Sequence, residues 1–555
     1  MKDFTNEING YALKNAMEFG KADAGRILPK LFNHGLDKKE IKNVMSVVQE
    51  IVKKVNSLKK EDMEKEFGKF KEYVKEHEEK ERTLAELPNT SDKMVFRLAP
   101  YPSGALHIGN AKTYLLNALY AEKYGGKILF VMDDTIGSEE KSIMPESYKL
   151  LEEAFKWLKV KYELPVYYKS DRLEIYYDYA LQLMKKGKAY VCHCAQEELR
   201  ENRAKERECG CRQFPPAIQL KRWKDMFTAK MGEAVLRLKT SMQDPNPAFR
   251  DRVLFKISDK EHPRVGKKYR VWPTLDMCWA IDDHLLGITH IIRGNDLMIE
   301  TDMEKYIWDI FKWKHPETIH AGLIKIEGIE GAKLSKSKAQ AEVKSGAFSG
   351  WDDPRTWSIQ SLSRRGIRVE AVREFISSIG LNKQDITTPI DALYAINRKL
   401  IDLEADRYYF VPNAVELEIK NAPKTREIEV PVHPDKPKET MKMRITPGRV
   451  WISKEDYENF KGKEVRLLHL FNMELKEKNK AEFTTTGNMP IPKITWVSFP
   501  VKARVLMPDG QWVEGLADEN ITGLKEGEVL QFERFGFCRY DGGKDGVHEF
   551  WFSHK

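Results

Sequence analysis

From about Met94 onward strands alternate with helices, and that alternation limits the fold more than any other feature of this chain. "MVFRLA" carries Val95, Phe96 and Leu98 in a strand pattern, and "KILFVMDDT" is a second strand that ends in acids. "SYKLLEEAFKWLKV" has apolar residues at helical spacing, and "IYYDYALQLMKKGKAYVCH" reads as a helix followed by a strand. Such alternation predicts an α/β domain built on a parallel sheet. Ligands of these sheets bind beyond the C-terminal strand ends. The turn "PYPSGALHIGN" and the acids Asp133 and Asp134 both fall at such ends.

That turn leads into a helical run in which Tyr114, Leu115, Ala118, Leu119 and Ala121 recur. A helix N-terminus presents unpaired N–H groups and the positive end of a dipole, which is a seat for phosphate. A second motif, "GAKLSKSK", sets Lys333, Ser335, Lys336 and Ser337 in a Gly-flanked loop after a strand. Alone it reads as a solvated basic loop. Paired with the His-Ile-Gly helix start, it predicts a nucleotide site in which mobile ammonium groups cover departing pyrophosphate. Neither motif supplies a nucleophile, so catalysis would rest on positioning and charge stabilisation.

At 555 residues the chain requires several domains. A helical, charge-rich appended domain is expected over 1–93, with the run "KKEDMEKEFGKFKEYVKEHEEKERT" as an exposed helix. One catalytic half follows over 94–190. A less regular insertion, 191–265, holds four of the six cysteines. The second catalytic half spans 266–345, and a helical segment spans 346–410. The remainder, 411–555, shows short alternating strands broken by Pro and Gly, the signature of one or two β-barrels. No apolar run approaches a membrane span and no secretory leader is visible, so the expectation is a cytoplasmic protein without a membrane partner. The formal net charge of +8, from 93 basic and 85 acidic residues, does not by itself identify a polyanionic partner.

The cysteines form two close pairs, Cys192 with Cys194 and Cys209 with Cys211. Four thiols in this arrangement resemble a structural zinc site, although one intervening residue per pair is fewer than usual, and His193 is a substitute ligand. The other reading is free or buried thiols in a reducing compartment. Cys278 and Cys538 read as core residues.

The two nucleotide motifs stand here as "HIGN" and "KLSKS" and resemble the paired signature motifs of class I aminoacyl-tRNA synthetases. "RLAPYPSGALHIGNAK", "FVMDDT", "VWPTLDMCWAIDDHLLGITHIIRGND", "WDDPR" and "RRGIRVEAVREFISSIG" are similar to the glutamyl-tRNA synthetases of the archaeal and eukaryotic type. The likeness runs over most of the chain. It implies a Rossmann-like catalytic domain with an acceptor-end insertion, a helical stem-contact segment and a β-barrel anticodon-binding region. It implies ATP with Mg²⁺, L-glutamate and tRNA(Glu) as substrates, with tRNA(Gln) as a further acceptor in many archaeal relatives.

By motif position, His107, Gly109 and Asn110 would meet ATP, and Lys333 and Lys336 would stabilise the transition state. Arg97 would pair with the substrate side-chain carboxylate, with Arg293 a second candidate, because a planar fork suits a carboxylate. Asp133 would hold the α-amino group. Leu275 stands where relatives usually carry Tyr, and Tyr101 where a small or polar residue is usual, so the Tyr101 hydroxyl would replace the missing one. The segment "SRRGIRVEAVR" offers Arg364, Arg365, Arg368 and Arg373 to the inner side of the tRNA, or else a solvated helix face. Arg444, Arg449, Trp451 and Arg466 would suit splayed anticodon bases. The N-terminal helices either dock protein partners or cover the catalytic domain. Glutaminyl-tRNA synthetase, a non-catalytic tRNA-binding paralogue, a truncated tRNA-modifying relative and a plain nucleotidylyltransferase are the competing readings.

Overall fold

A computed structural model describes residues 3–37, 40–58, 60–74, 84–136, 142–329 and 336–555. The chain divides into two compact units after Thr83. The first is helical: Thr5–Phe19, Ala24–Leu31, Ile41–Val55 and Lys60–Phe70. Its core holds Phe4, Ile8, Tyr11, Leu13, Ile27, Leu31 and Val48. The described helix of the charged run expected to lie exposed, Lys60–Phe70, packs into this core, and 75–83 of that run lie outside the described residues. Met63 is buried, and Phe67 and Phe70 pack against the same cluster. Those three apolar positions recur at helical spacing, which suffices for a packed stripe despite the surrounding charge.

In the second unit β1 (Val95–Leu98), β2 (Lys127–Met132) and β3 (Glu163–Tyr168) pair in parallel in that order. The chain then returns to the other edge of β1. The Thr289 N–H donates to the Val95 carbonyl (2.9 Å), and the Val95 N–H donates to Thr289 Oγ1 (2.8 Å). Thr289 leads into β4 (His290–Gly294), which pairs in parallel with β5 (Glu317–Ala321). The spatial order is therefore β3-β2-β1-β4-β5, and it reverses between β1 and β4. At such a reversal the connections leave in opposite directions and open a crevice at the strand ends. Five helices flank these strands: α1 (Ile108–Tyr124), α2 (Pro145–Trp157), α3 (Leu173–Lys185), α4 (Leu275–Leu285) and α5 (Met298–Phe311).

The insertion is more regular than its sequence suggests. Ala189–Cys192, Val235–Leu238, Val253–Ile257 and Val271–Pro273 form an antiparallel sheet, with helices Gln196–Ala204 and Pro216–Met226 between the first two strands. Strands of three to five residues separated by long connections are too short to declare a period. The C-terminal region builds a six-stranded and a seven-stranded sheet, as the turn-broken strand pattern predicts. Cys278 and Cys538 are buried, as expected of core residues. Among the described residues no helix is long and apolar enough to cross a membrane.

The arginines of "SRRGIRVEAVR" have partners inside the protein. Arg365 is buried, and donates to the Ser553 carbonyl (2.7 Å), the Phe552 carbonyl (3.1 Å) and the Tyr394 hydroxyl (2.9 Å). It fastens the last strand to the helical segment and cannot face RNA. Arg364 pairs with Asp352 and Asp541, Arg368 with Glu404, and Arg373 with Glu122.

Beside Arg365, His554 is buried against Tyr394 and Phe537. Its Nε2 accepts from the Asn397 amide (2.9 Å), and its Nδ1–H donates to the Lys555 carbonyl (3.0 Å), which fixes a neutral ring. Burial, with Arg398 and Arg365 nearby, pushes its pKa down to about 4. In the unfolded chain the ring protonates below about 6.5, so folding is penalised progressively as pH falls from about 6.5 to 4. We predict a loss of about 2–3 kcal/mol across that window. Urea titrations at several pH values should show it, and a His554→Gln variant should show a flatter dependence there.

Candidate active site

The crevice at the strand reversal is a cavity of about 770 Å³. Arg97 and Tyr101 reach it from the end of β1, Asp133 from the end of β2, and Arg293 from β4. His107, Gly109 and Asn110 line it from the start of α1, and Leu275 from the start of α4. Eight residues expected from separate motifs thus share one wall system. Lys333 lies outside the described residues. Lys336 opens the helix Lys336–Lys344, one turn before Gln340, which lines the cavity.

The nucleotide end is a capped helix terminus. His107 is the residue before α1, in extended conformation, and its Nδ1 accepts from the Asn110 N–H (3.3 Å). The strand-like pair formed by the Ile108 N–H with the Trp357 carbonyl (3.2 Å) and the Ile359 N–H with the Leu106 carbonyl (2.8 Å) holds the turn in place. Gly104 adopts φ +149°, and a Cβ there would lie 2.4 Å from Trp351 Cη2. Only glycine allows the indole to support the turn from beneath.

The other end of the cavity is a set of buried ion pairs. Arg97 donates from Nε (2.5 Å) and Nη2 (3.1 Å) to the Asp283 carboxylate. Arg293 donates from Nη1 (2.9 Å) and Nη2 (2.7 Å) to Glu304. Both forks are engaged within the protein, which leaves Arg97 its Nη1 side and Arg293 its Nε, the latter buried without a partner. Burial drives the Glu304 pKa up to about 7 despite Arg293. Asp133, expected to hold an amino group, faces the fully buried Lys169 ammonium at 3.0 Å. Burial pulls the Lys169 pKa down, but Asp133, Cys278 and Asp282 together more than offset it, so it ends above the ordinary lysine value. Asp134 points elsewhere. It accepts from the Ser170 N–H (2.9 Å) and hydroxyl (2.7 Å) and from the Tyr148 hydroxyl (3.1 Å), which orients the strand end carrying Asp133. Burial, with the charges of Asp133 and Asp134, raises the Tyr101 pKa.

Away from the cavity the sulfurs of Cys192, Cys194, Cys209 and Cys211 all lie within 4.8 Å of one another, and the Cys192 and Cys209 sulfurs are 3.7 Å apart. A tetrahedral ion with bonds of about 2.3 Å holds thiolates about 3.8 Å apart, so the donor set fits zinc. Arg237 lies 3.9 and 3.8 Å from two of the sulfurs, and Arg222 lies 3.4 Å from Cys211, each a cation that offsets thiolate charge. Hydrogen bonds from Cys192 and Tyr190, with Arg237 nearby, lower the Cys209 pKa to about 5. His193, the candidate substitute ligand, does not belong to this cluster of donor atoms. Its ring is bonded to the Glu233 carbonyl (3.0 Å).

Residues 93–403 match the family described as tRNA synthetases class I (E and Q), catalytic domain, and 405–489 and 493–541 match the anti-codon binding domain of those enzymes. The chain belongs to this family. It is 38% identical over 542 residues to the glutamate–tRNA ligase of Methanocaldococcus jannaschii. It is 41% and 40% identical over 558 residues to the glutamate–tRNA ligases of Pyrococcus abyssi and Pyrococcus furiosus. Each match covers 96% of this chain and 96% of the relative. The parallel-sheet catalytic domain, helical N-terminus and barrel-like C-terminal sheets are those of a class I synthetase.

Four cavity residues or partners escaped the sequence reading: Lys169, Trp279, Asp283 and Glu304. Leu275, Trp279 and Asp283 are spaced four apart on α4, a stripe that a helical count from Leu275 would have placed on one face. Lys169 and Glu304 carry no local signal, because only the fold brings them to Asp133 and Arg293.

Proposed function

We propose that this chain is a glutamate–tRNA ligase that binds ATP at the α1 end of the cavity and L-glutamate among the ion pairs at the other. The observation that carries this reading is the single cavity that joins the "HIGN" helix start to Arg97 and Arg293, in a chain about 40% identical over 96% of its length to glutamate–tRNA ligases. A glutamate α-carboxylate oxygen attacks the α-phosphorus of Mg·ATP. The bond to the β-phosphate bridging oxygen breaks, and pyrophosphate leaves. The 2′-hydroxyl of the terminal adenosine of tRNA(Glu) then displaces AMP from the glutamyl-adenylate.

His107 and the N–H groups at the start of α1 meet phosphate oxygens, and Gly109 and Asn110 face the adenosine. Lys333 and Lys336 neutralise the departing pyrophosphate, a role whose loss typically slows a reaction about 10²–10³-fold. Asp133 receives the substrate ammonium alongside Lys169. Arg97 offers its Nη1 side and Arg293 its Nε to the side-chain carboxylate, while Tyr101 and Leu275 form the adjoining wall. The four cysteines hold a structural zinc ion in the acceptor-end insertion. Six cysteines without a disulfide among them suit a cytoplasmic enzyme.

Charging unfractionated tRNA with labelled glutamate and, separately, labelled glutamine tests the reading. We expect glutamate to be incorporated, and Lys336→Ala to reduce the rate at least 100-fold. Glutamine incorporation alone would mean a change of specificity, and no incorporation of either would point to a tRNA-binding paralogue. Sequencing the charged tRNAs decides whether tRNA(Gln) is also an acceptor. For the metal, elemental analysis of purified protein should give one zinc per chain. Cys209→Ser should release it, and a wild-type protein free of zinc would refute the assignment.

A further inference from the structure

At the amino-acid end of the cavity Trp279 lies one turn after Leu275 on α4, with its side chain buried. Three cations stand against its indole ring. Lys169 Nζ is 4.8 Å from the ring centroid, Arg97 Cζ 4.9 Å and Arg293 Cζ 5.0 Å. Each cation has its own carboxylate, so three ion pairs converge on one ring: Lys169 with Asp133, Arg97 with Asp283, Arg293 with Glu304. The negative face of an indole attracts cations, most strongly where water is excluded. The ring therefore gathers charges that would otherwise repel one another.

The polar atoms left over are as informative as the pairs. Trp279 Nε1 and Arg293 Nε are both buried without a hydrogen-bond partner, and both residues line this cavity. Two unanswered N–H donors on adjacent groups are rare in a folded protein. Asp276 Oδ1, on the same helix and lining the same cavity, is a buried acceptor without a partner. Asp133 Oδ1 has no hydrogen bond in addition to its ion pair with Lys169. Donors for a carboxylate and acceptors for an ammonium are what an acidic amino acid would answer.

We propose that Trp279 is a specificity-determining residue, whose indole N–H donates with Arg293 Nε–H to the side-chain carboxylate of the amino-acid substrate while its ring holds the three pocket cations in register. This rests on the reading of the cavity as the glutamate site. A carboxylate has acceptors on both oxygens and satisfies both donors. A carboxamide must turn its NH₂ toward one of them and leave that donor opposed, which disfavours glutamine.

The test is Trp279→Phe, which keeps an aromatic face against the cations and removes the donor along with the five-membered ring. In ATP–pyrophosphate exchange with tRNA present, the KM for glutamate should rise about tenfold, the size expected for one hydrogen bond to a charged group. The KM for ATP should stay within about twofold and the preference for glutamate over glutamine should fall. Should that variant not fold, replacing Trp279 by benzothienylalanine, which exchanges N–H for sulfur in an otherwise equal ring, gives the same comparison. Arg293→Lys is measured in parallel. An unchanged KM for glutamate in the Trp279 variant, with a raised one in Arg293→Lys, overturns the role of Trp279 and leaves the glutamate site standing. An unchanged KM in both removes the glutamate site itself. Equal rises in the KM values for glutamate and ATP would mark Trp279 as structural and also overturn the proposal.

Discussion

Two arginine–carboxylate forks, Arg97 with Asp283 and Arg293 with Glu304, are buried where the strand order reverses, and the rest of the site is arranged around them. Taking four charges out of water is costly, and such pairs persist only where geometry and further hydrogen bonds offset the desolvation. Removing one partner of such a pair typically costs about 3–5 kcal/mol, because the other is left as an uncompensated buried charge. The forks therefore fix α4 and α5 against the ends of β1 and β4. They hold both guanidinium groups in one orientation before any ligand arrives, which is the preorganisation that electrostatic recognition depends on.

The nucleotide end obeys a different logic. It is built from backbone: a helix N-terminus, a turn that needs glycine at position 104, and a two-bond stitch from Leu106 and Ile108 to the Trp357–Ile359 segment. The amino-acid end is built from side chains brought together from β1, β2, β4 and α4. This division explains why the first end follows from a short stretch of sequence and the second does not. "PYPSGALHIGN" states its own structure, because turn, glycine and helix start are local. Arg97, Asp133 and Arg293 are recognised as chemistry by their motifs, but their partners lie far away in the chain. Asp283 is 186 residues from Arg97, and Lys169 is recruited from beyond β3.

The same distinction runs through the fold. The catalytic alternation of strands and helices, the C-terminal strands and the four-cysteine cluster were legible, since each rests on local periodicity or on residue type. The insertion looked irregular because its strands are too short to show a period. Arg365 reads in the sequence as part of a tRNA-facing surface or a solvated helix face, because charge in sequence carries no sign of what covers it. Arg365 instead secures the last strand. His193 looked like a ligand because it sits between two cysteines, yet alternation along a strand end turns it to a carbonyl on the neighbouring segment.

The most direct measurement of the whole account is a crystal structure of the full chain with a stable glutamyl-adenylate analogue, the glutamyl sulfamoyl adenosine. The account predicts adenosine at Gly109 and Asn110, the sulfamoyl group at His107 and the start of α1, the ammonium at Asp133, and the glutamyl carboxylate between Arg293 and Trp279. An analogue bound elsewhere, or one whose glutamyl side chain points away from the ion pairs, would contradict it.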